Sequence, residues 1–173
     1  MALATGSGLP AVVVMGVAGC GKSLMGTALA GALGARFIEG DRLHPPESIA
    51  LMAAGTPLTD EDRAGWLDAV GREIARQRKD RRVVATCSAL KRRYRDRLRA
   101  HAAPLVFLHL ALDPAAARQR VASREGHFMP AGLVDSQFAA LEPPQADETA
   151  LTLDATRPVK ELLAEAIALL RAD

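Results

Sequence analysis

Three observations predict an α/β fold, a five-stranded parallel sheet with helices on both faces. Short apolar runs alternate with longer stretches of helical periodicity along the chain. Such alternation calls for crossover connections that lay helices over a parallel sheet. The first apolar run leads straight into a glycine-rich turn, Gly16-Val17-Ala18-Gly19-Cys20-Gly21-Lys22-Ser23, which opens a helix. The polar residues of interest then fall just past strand ends, where open parallel sheets bind ligands.

Composition fits one domain over 1–173. Almost half of the residues are apolar, and 22 basic side chains face 20 acidic ones. A chain of this kind buries a real core. Its charge balance gives no general case for a nucleic-acid or membrane partner, and aromatics for base stacking are scarce. Cys20 and Cys87 make no disulfide framework. No apolar run reaches the roughly 18 residues of a membrane helix. Residues 1–10 lack a signal-peptide pattern, so a cytoplasmic setting is expected.

The Val-rich run 11–15 suits a strand buried on both faces. A helix over 24–33 follows and ends near Gly34. A second strand covers 36–39 and closes on Gly40-Asp41. His44-Pro45-Pro46 breaks the chain, and Pro46 starts a short helix over 47–54 that Gly55 ends. Thr59 or Asp60 caps a long helix running to about Gln77. Its Trp66, Leu67, Val70 and Ile74 recur at helical spacing and are read as core. The third strand spans 82–86. Ser88 is expected to cap the next helix, with Leu90, Tyr94 and Leu98 on one face and Lys91 and Arg95 on a neighbouring one. A fourth strand covers 104–111. Asp113-Pro114 opens a helix to about Arg124, which Gly126-His127-Phe128-Met129-Pro130 interrupts. A short helix over 134–141, a fifth strand over 151–153 and a last helix ending near Arg171 complete the chain.

The glycine-rich turn has the spacing and context of a phosphate-binding P-loop. Backbone N–H groups between Gly16 and Ser23 converge on one point, and the helix adds its positive dipole end. Lys22 is placed to reach the β- and γ-phosphates, and Ser23 to hold Mg²⁺ through its hydroxyl. The loop thus predicts a nucleoside triphosphate with Mg²⁺, and leaves the phosphate acceptor open.

Phosphoryl transfer further needs an oriented acceptor and charge neutralisation. Asp41, at the end of the second strand, is placed to accept the proton of an attacking hydroxyl or to orient it. Glu39 lies two residues earlier with its side chain on the same face, in reach of Mg²⁺ through water. His44 can donate to a polar substrate. Lys91 and Arg95, at i and i+4, can grip an anionic acceptor. Arg120 and Arg124 share the same spacing and stand where a mobile lid, about 120–140, would carry arginines onto the transferring phosphate. The plainer readings are a turn-capping Asp, a surface His and solvated basic helices. No Cys/His cluster has zinc spacing, and no hydrolase elbow is present.

In these blocks the chain resembles the gluconate kinase (gluconokinase) family. The matching residues are Gly16 to Ser23; Glu39-Gly40-Asp41 with Leu43-His44-Pro45; Gly55 with Pro57-Leu58; Asp60 and Asp62-Arg63 with Trp66-Leu67; Cys87-Ser88-Ala89-Leu90-Lys91 with Tyr94-Arg95-Asp96; Gly126-His127-Phe128; and Ser136-Gln137 with Leu141-Glu142-Pro143. The resemblance implies ATP-dependent phosphorylation of D-gluconate to 6-phosphogluconate. It implies a nucleoside-monophosphate-kinase type of fold with a core, a lid and an acceptor-binding helical region, about 44–80. Asp41 becomes the expected base or orienting residue. His44, Arg63, Lys91 and Arg95 become gluconate contacts, and Arg120 and Arg124 contacts to phosphate or nucleotide. A homodimer is implied by likeness alone. The chain departs from the family pattern at Ser48, Leu51 and Gly65. Other readings are a kinase for another small acid such as shikimate, and a non-catalytic nucleotide-binding module.

Overall fold

The computed structural model describes residues 9–124 and 130–171. The strands are β1 (Ala11–Met15), β2 (Arg36–Glu39), β3 (Val83–Thr86), β4 (Leu105–Ala111) and β5 (Ala150–Asp154). They lie in the order β2-β3-β1-β4-β5, and each neighbouring pair is parallel. The α/β architecture read from the sequence is the observed one. All five residues of central β1 are buried, which is why Ala-Val-Val-Val-Met shows no alternation. From β1 the chain first builds β2 and β3 on one side, then crosses to β4 and β5 on the other. The order therefore reverses at the carboxyl end of β1, where the P-loop begins.

The helices are α1 (Lys22–Leu33), α2 (Pro46–Ala53), α3 (Asp60–Gln77), α4 (Arg92–Ala102), α5 (Pro114–Ala122), α6 (Ala131–Ala140) and α7 (Val159–Arg171). Helix α1 ends on Gly34, whose left-handed φ of 61° lets its N–H reach the carbonyls of Ala30 and Gly31. Helix α3 begins with a complete capping box between Thr59 and Asp62, so two otherwise unpaired N–H groups are satisfied. Its stripe is core: Trp66 is 2% exposed, and Leu67, Val70 and Ile74 are buried with it. The Trp66 indole N–H donates to the Gly40 carbonyl at 2.8 Å, which fixes the turn after β2.

That turn, a short 3₁₀ segment over Gly40–Leu43, presses on β3. A Cβ at Gly40 would lie 1.9 Å from the Thr86 carbonyl oxygen. No side chain fits there, and the close approach is what brings Asp41 over the sheet edge.

Two expected helices are shorter than their sequence suggested. Ser88 caps nothing: α4 starts at Arg92 with Lys91 as its N-cap. Instead the Ser88 carbonyl accepts the Gly16 N–H at 3.2 Å, and Ala89 takes a left-handed φ of 47°. The chain is thereby held against the P-loop for four more residues before it can coil. Helix α5 stops at Ala122, so Arg124 lies just past its end. The block Gly126-His127-Phe128-Met129 lies outside the described residues, and with it the expected hinge.

Candidate active site

A cavity of about 810 Å³ opens over the carboxyl ends of β1 and β3. Two groups of residues meet in it. Ala18, Gly19, Gly21, Lys22 and Ser23 come from the P-loop, joined by Arg120, Ser123 and Arg124 from the end of α5. Facing them are Asp41, His44 and Arg63, with Ser88 and the apolar side chains of Ile49, Met52 and Leu58. Among the described residues, four cationic side chains and one acidic one line this space. A cavity with that excess of positive charge suits anionic ligands.

On the P-loop side, Gly19 and Gly21 adopt φ of 82° and 94°, a conformation other residues rarely take, so the backbone can curl with its N–H groups inward. Lys22 Nζ lies against its own loop and donates to the carbonyls of Gly16 (3.0 Å) and Val17 (3.1 Å). Cys20 is buried beneath the loop, and a Cβ at Gly16 would come within 2.7 Å of its sulfur. Cys20 is therefore a packing residue.

Ser23 Oγ donates to Glu39 Oε2 at 2.6 Å, and Thr86 Oγ1 donates to the other Glu39 oxygen at 2.5 Å. The hydroxyl and the carboxylate converge from two elements. Two hard oxygen donors beside a phosphate loop match the sparse protein ligation that Mg²⁺ prefers. Among the described residues no group of three or more His, Cys, Asp and Glu side chains could hold a metal on its own.

On the facing side, the His44 ring stacks on Trp66 with centroids 3.9 Å apart. Burial lowers the His44 pKa, and the nearby Asp41 carboxylate only partly opposes this. His44 is therefore neutral at pH 7 and can donate or accept through its ring nitrogens. Arg63 is mostly buried. Its Nε donates to the Leu58 carbonyl, and its guanidinium lies 5.6 Å from the Tyr94 ring centre. Tyr94, Lys91 and Arg93 all bond to the Asp60 carboxylate.

Two expected acceptor contacts are placed elsewhere. Arg95 has no exposed side-chain surface. Its guanidinium bonds both oxygens of buried Glu148, at 2.7 and 2.9 Å, and donates to the carbonyls of Ala89 and Leu90. It is a framework residue that holds the turn bearing Ser88, not a ligand contact. Lys91 bonds Asp60 at 3.2 Å and does not line the cavity. Its carbonyl accepts the Arg95 N–H at 3.2 Å, so it does stand one turn before Arg95, but its side chain is engaged with Asp60 while that of Arg95 is buried on Glu148.

Comparison with known proteins follows the same outline. An AAA domain family model matches residues 12–144. A gluconokinase of Gluconobacter oxydans is 45% identical over 90% of this chain and 88% of its own length. The thermoresistant gluconokinase of Escherichia coli is 40% identical over 92% of each chain. The chain belongs to the gluconokinase family. A gluconokinase structure from Sinorhizobium meliloti superposes with a TM-score of 0.84 at 45% identity, covering 94% of this chain and 92% of that one. A shikimate kinase from Acinetobacter baumannii, at 15% identity and a TM-score of 0.58, shares the fold alone.

Within this gluconokinase fold the three departures fall away from the ligand space. Ser48 is buried in α2, and neither it nor Leu51 nor Gly65 lines the cavity. Sequence reasoning missed Ser88, Ser123 and Gln137 as lining residues. Ser88 was read as a helix cap. Gln137 carried no signal beyond its place in a family block.

Proposed function

We propose that this chain transfers the γ-phosphoryl group of ATP to the 6-hydroxyl of D-gluconate, giving ADP and 6-phospho-D-gluconate. The observation that supports this most strongly is the meeting of Lys22 and Ser23 with Asp41, His44 and Arg63 in one cationic cavity. A triphosphate on the P-loop and a sugar acid among the facing side chains would lie end to end.

In this reading the acceptor oxygen forms a bond to the γ-phosphorus as the bond to the β,γ-bridging oxygen breaks. The hydroxyl proton passes to the Asp41 carboxylate. In a loose transition state that proton leaves late, so Asp41 acts as much by orientation as by basicity. Lys22, Arg120 and Arg124 neutralise charge on the phosphates. Arg63 and His44 hold the acid, Arg63 by a charge-assisted contact. Ser23 and Glu39 would hold Mg²⁺, which when bound screens the phosphate oxygens. Of the expected loop sites Gly16, Val17, Ala18, Gly19, Cys20 and Gly21, Gly19 and Gly21 would offer backbone N–H groups to the phosphates, while the N–H groups of Gly16, Ala18 and Cys20 go to Ser88, Gln137 and Val17 and shape the loop. A cytoplasmic setting goes with this reading, since ATP is supplied there. No helix among the described residues is long and apolar enough to cross a membrane.

A coupled assay of ADP release over a panel of sugar acids and shikimate tests the assignment. Gluconate is expected to be the preferred acceptor. Turnover of shikimate without gluconate would overturn it.

A further inference from the structure

Gln137 joins the P-loop from outside it. Its Oε1 accepts the Ala18 N–H at 2.6 Å. An N–H only donates, so the amide end meeting it is the oxygen, and the other end is an NH₂ group with two hydrogens to give. The position is set by packing. Leu133 and Val134 are buried and stand four and three residues before Gln137, so the face that docks α6 turns Gln137 inward. Gln137 lines the same cavity as Lys22 and Arg124.

The bonded amide is half of a peptide unit whose other edge is also held. The Val17 carbonyl accepts from Lys22 Nζ at 3.1 Å, and the N–H of the same unit goes to Gln137. One rigid peptide thus ties the ammonium and the carboxamide to the loop at its start. Of the later loop amides, that of Cys20 turns back to the Val17 carbonyl at 3.2 Å, and those of Gly19 and Gly21 are left for the nucleotide phosphates. A polar side chain locked by its oxygen, with its donors beside a cationic cavity, matches the preorganised donors that stabilise developing oxyanions.

We propose that Gln137 is a further catalytic residue: its NH₂ donates to an oxygen of the phosphoryl group in transfer, while its Oε1 remains on Ala18. This rests on the phosphoryl-transfer reading above. Glu at this position keeps an acceptor for the Ala18 N–H and loses the donor, whereas Met loses both without adding charge.

The test is steady-state kinetics of Gln137→Glu and Gln137→Met with ATP and gluconate. It is paired with binding of ADP alone and of ADP with aluminium fluoride, a mimic of the planar phosphoryl group. We expect kcat to fall on the order of 100-fold in both variants, with the gluconate KM within about threefold of wild type. ADP binding is expected to persist, and the fluoride complex to weaken in step with kcat. A Gln137→Glu enzyme with near-wild-type kcat would reduce Gln137 to a strut between α6 and the loop and overturn the proposal. Equal losses of ADP and ADP–fluoride binding would do the same. Should the wild type prefer another acid, the gluconate assignment fails, and the same comparison on that acid still decides the role of Gln137.

Discussion

The Ser23 hydroxyl donates to the Glu39 carboxylate across 2.6 Å, joining the P-loop helix to the end of β2. That contact sets two oxygen donors side by side where Mg²⁺ would bridge to a nucleotide. Glu39→Gln keeps the hydrogen bond and removes the charge. The Mg²⁺ concentration for half-maximal rate should rise about tenfold or more, with metal-free ADP binding unchanged. An unaltered Mg²⁺ dependence would take Glu39 out of the metal site.

Arg63 and Lys91 should part company. Arg63 lines the cavity, whereas Lys91 is engaged with Asp60. Arg63→Ala is expected to raise the gluconate KM about tenfold or more, the cost of a charge-assisted contact. Lys91→Ala should change it less than about threefold. Initial-rate kinetics check this, and the reverse ranking would relocate the acceptor.

Arg95 and Glu148 form a buried ion pair, with side-chain exposures of 0% and 1%. Removing Arg95 leaves the buried Glu148 carboxylate with Arg99 at 2.7 Å and the Gln145 N–H as its remaining partners, so Arg95→Leu should lose about 3 kcal/mol in urea unfolding, the low end for a broken buried pair. The pair also predicts a pH dependence. The Arg95 guanidinium holds the Glu148 carboxyl at about 2, below its ordinary 4.5. A depressed carboxyl stabilises the fold fully above its unfolded pKa. That contribution is lost as pH falls from about 4.5 towards 2. Glu148→Gln should flatten the stability profile in this window, and a profile parallel to wild type would contradict the ion pair.

His44 has the opposite chemistry with a similar direction. Burial lowers its pKa, so the fold favours the neutral ring. Its contribution is complete above pH 6.5 and declines as pH falls below that value, because the unfolded chain binds the proton first. A ring titrating above 6.5 by NMR would contradict the stack on Trp66.

The P-loop, the Thr59 cap and the core stripe of α3 were legible because each is local: residue type and short spacing state the geometry. Asp41 was legible for the same reason, standing at a strand end two residues from Glu39. Arg95 was not. Its partner Glu148 is 53 residues away, and helical spacing cannot tell a charge facing solvent from one facing a distant carboxylate. The start of α4 was misplaced because Ser88 looks like a cap in isolation, while its carbonyl is committed to Gly16 across the sheet. Gln137 escaped notice because an uncharged amide on a short helix carries no pattern of its own until the fold sets it against Ala18.

The account depends most on Asp41 and Lys22 acting across one cavity. Single-turnover phosphorylation of gluconate by Asp41→Asn, with ATP prebound, tests this directly. We expect the transfer rate to fall about 10²–10⁴-fold while ATP affinity is retained. Transfer at close to the wild-type rate would contradict it.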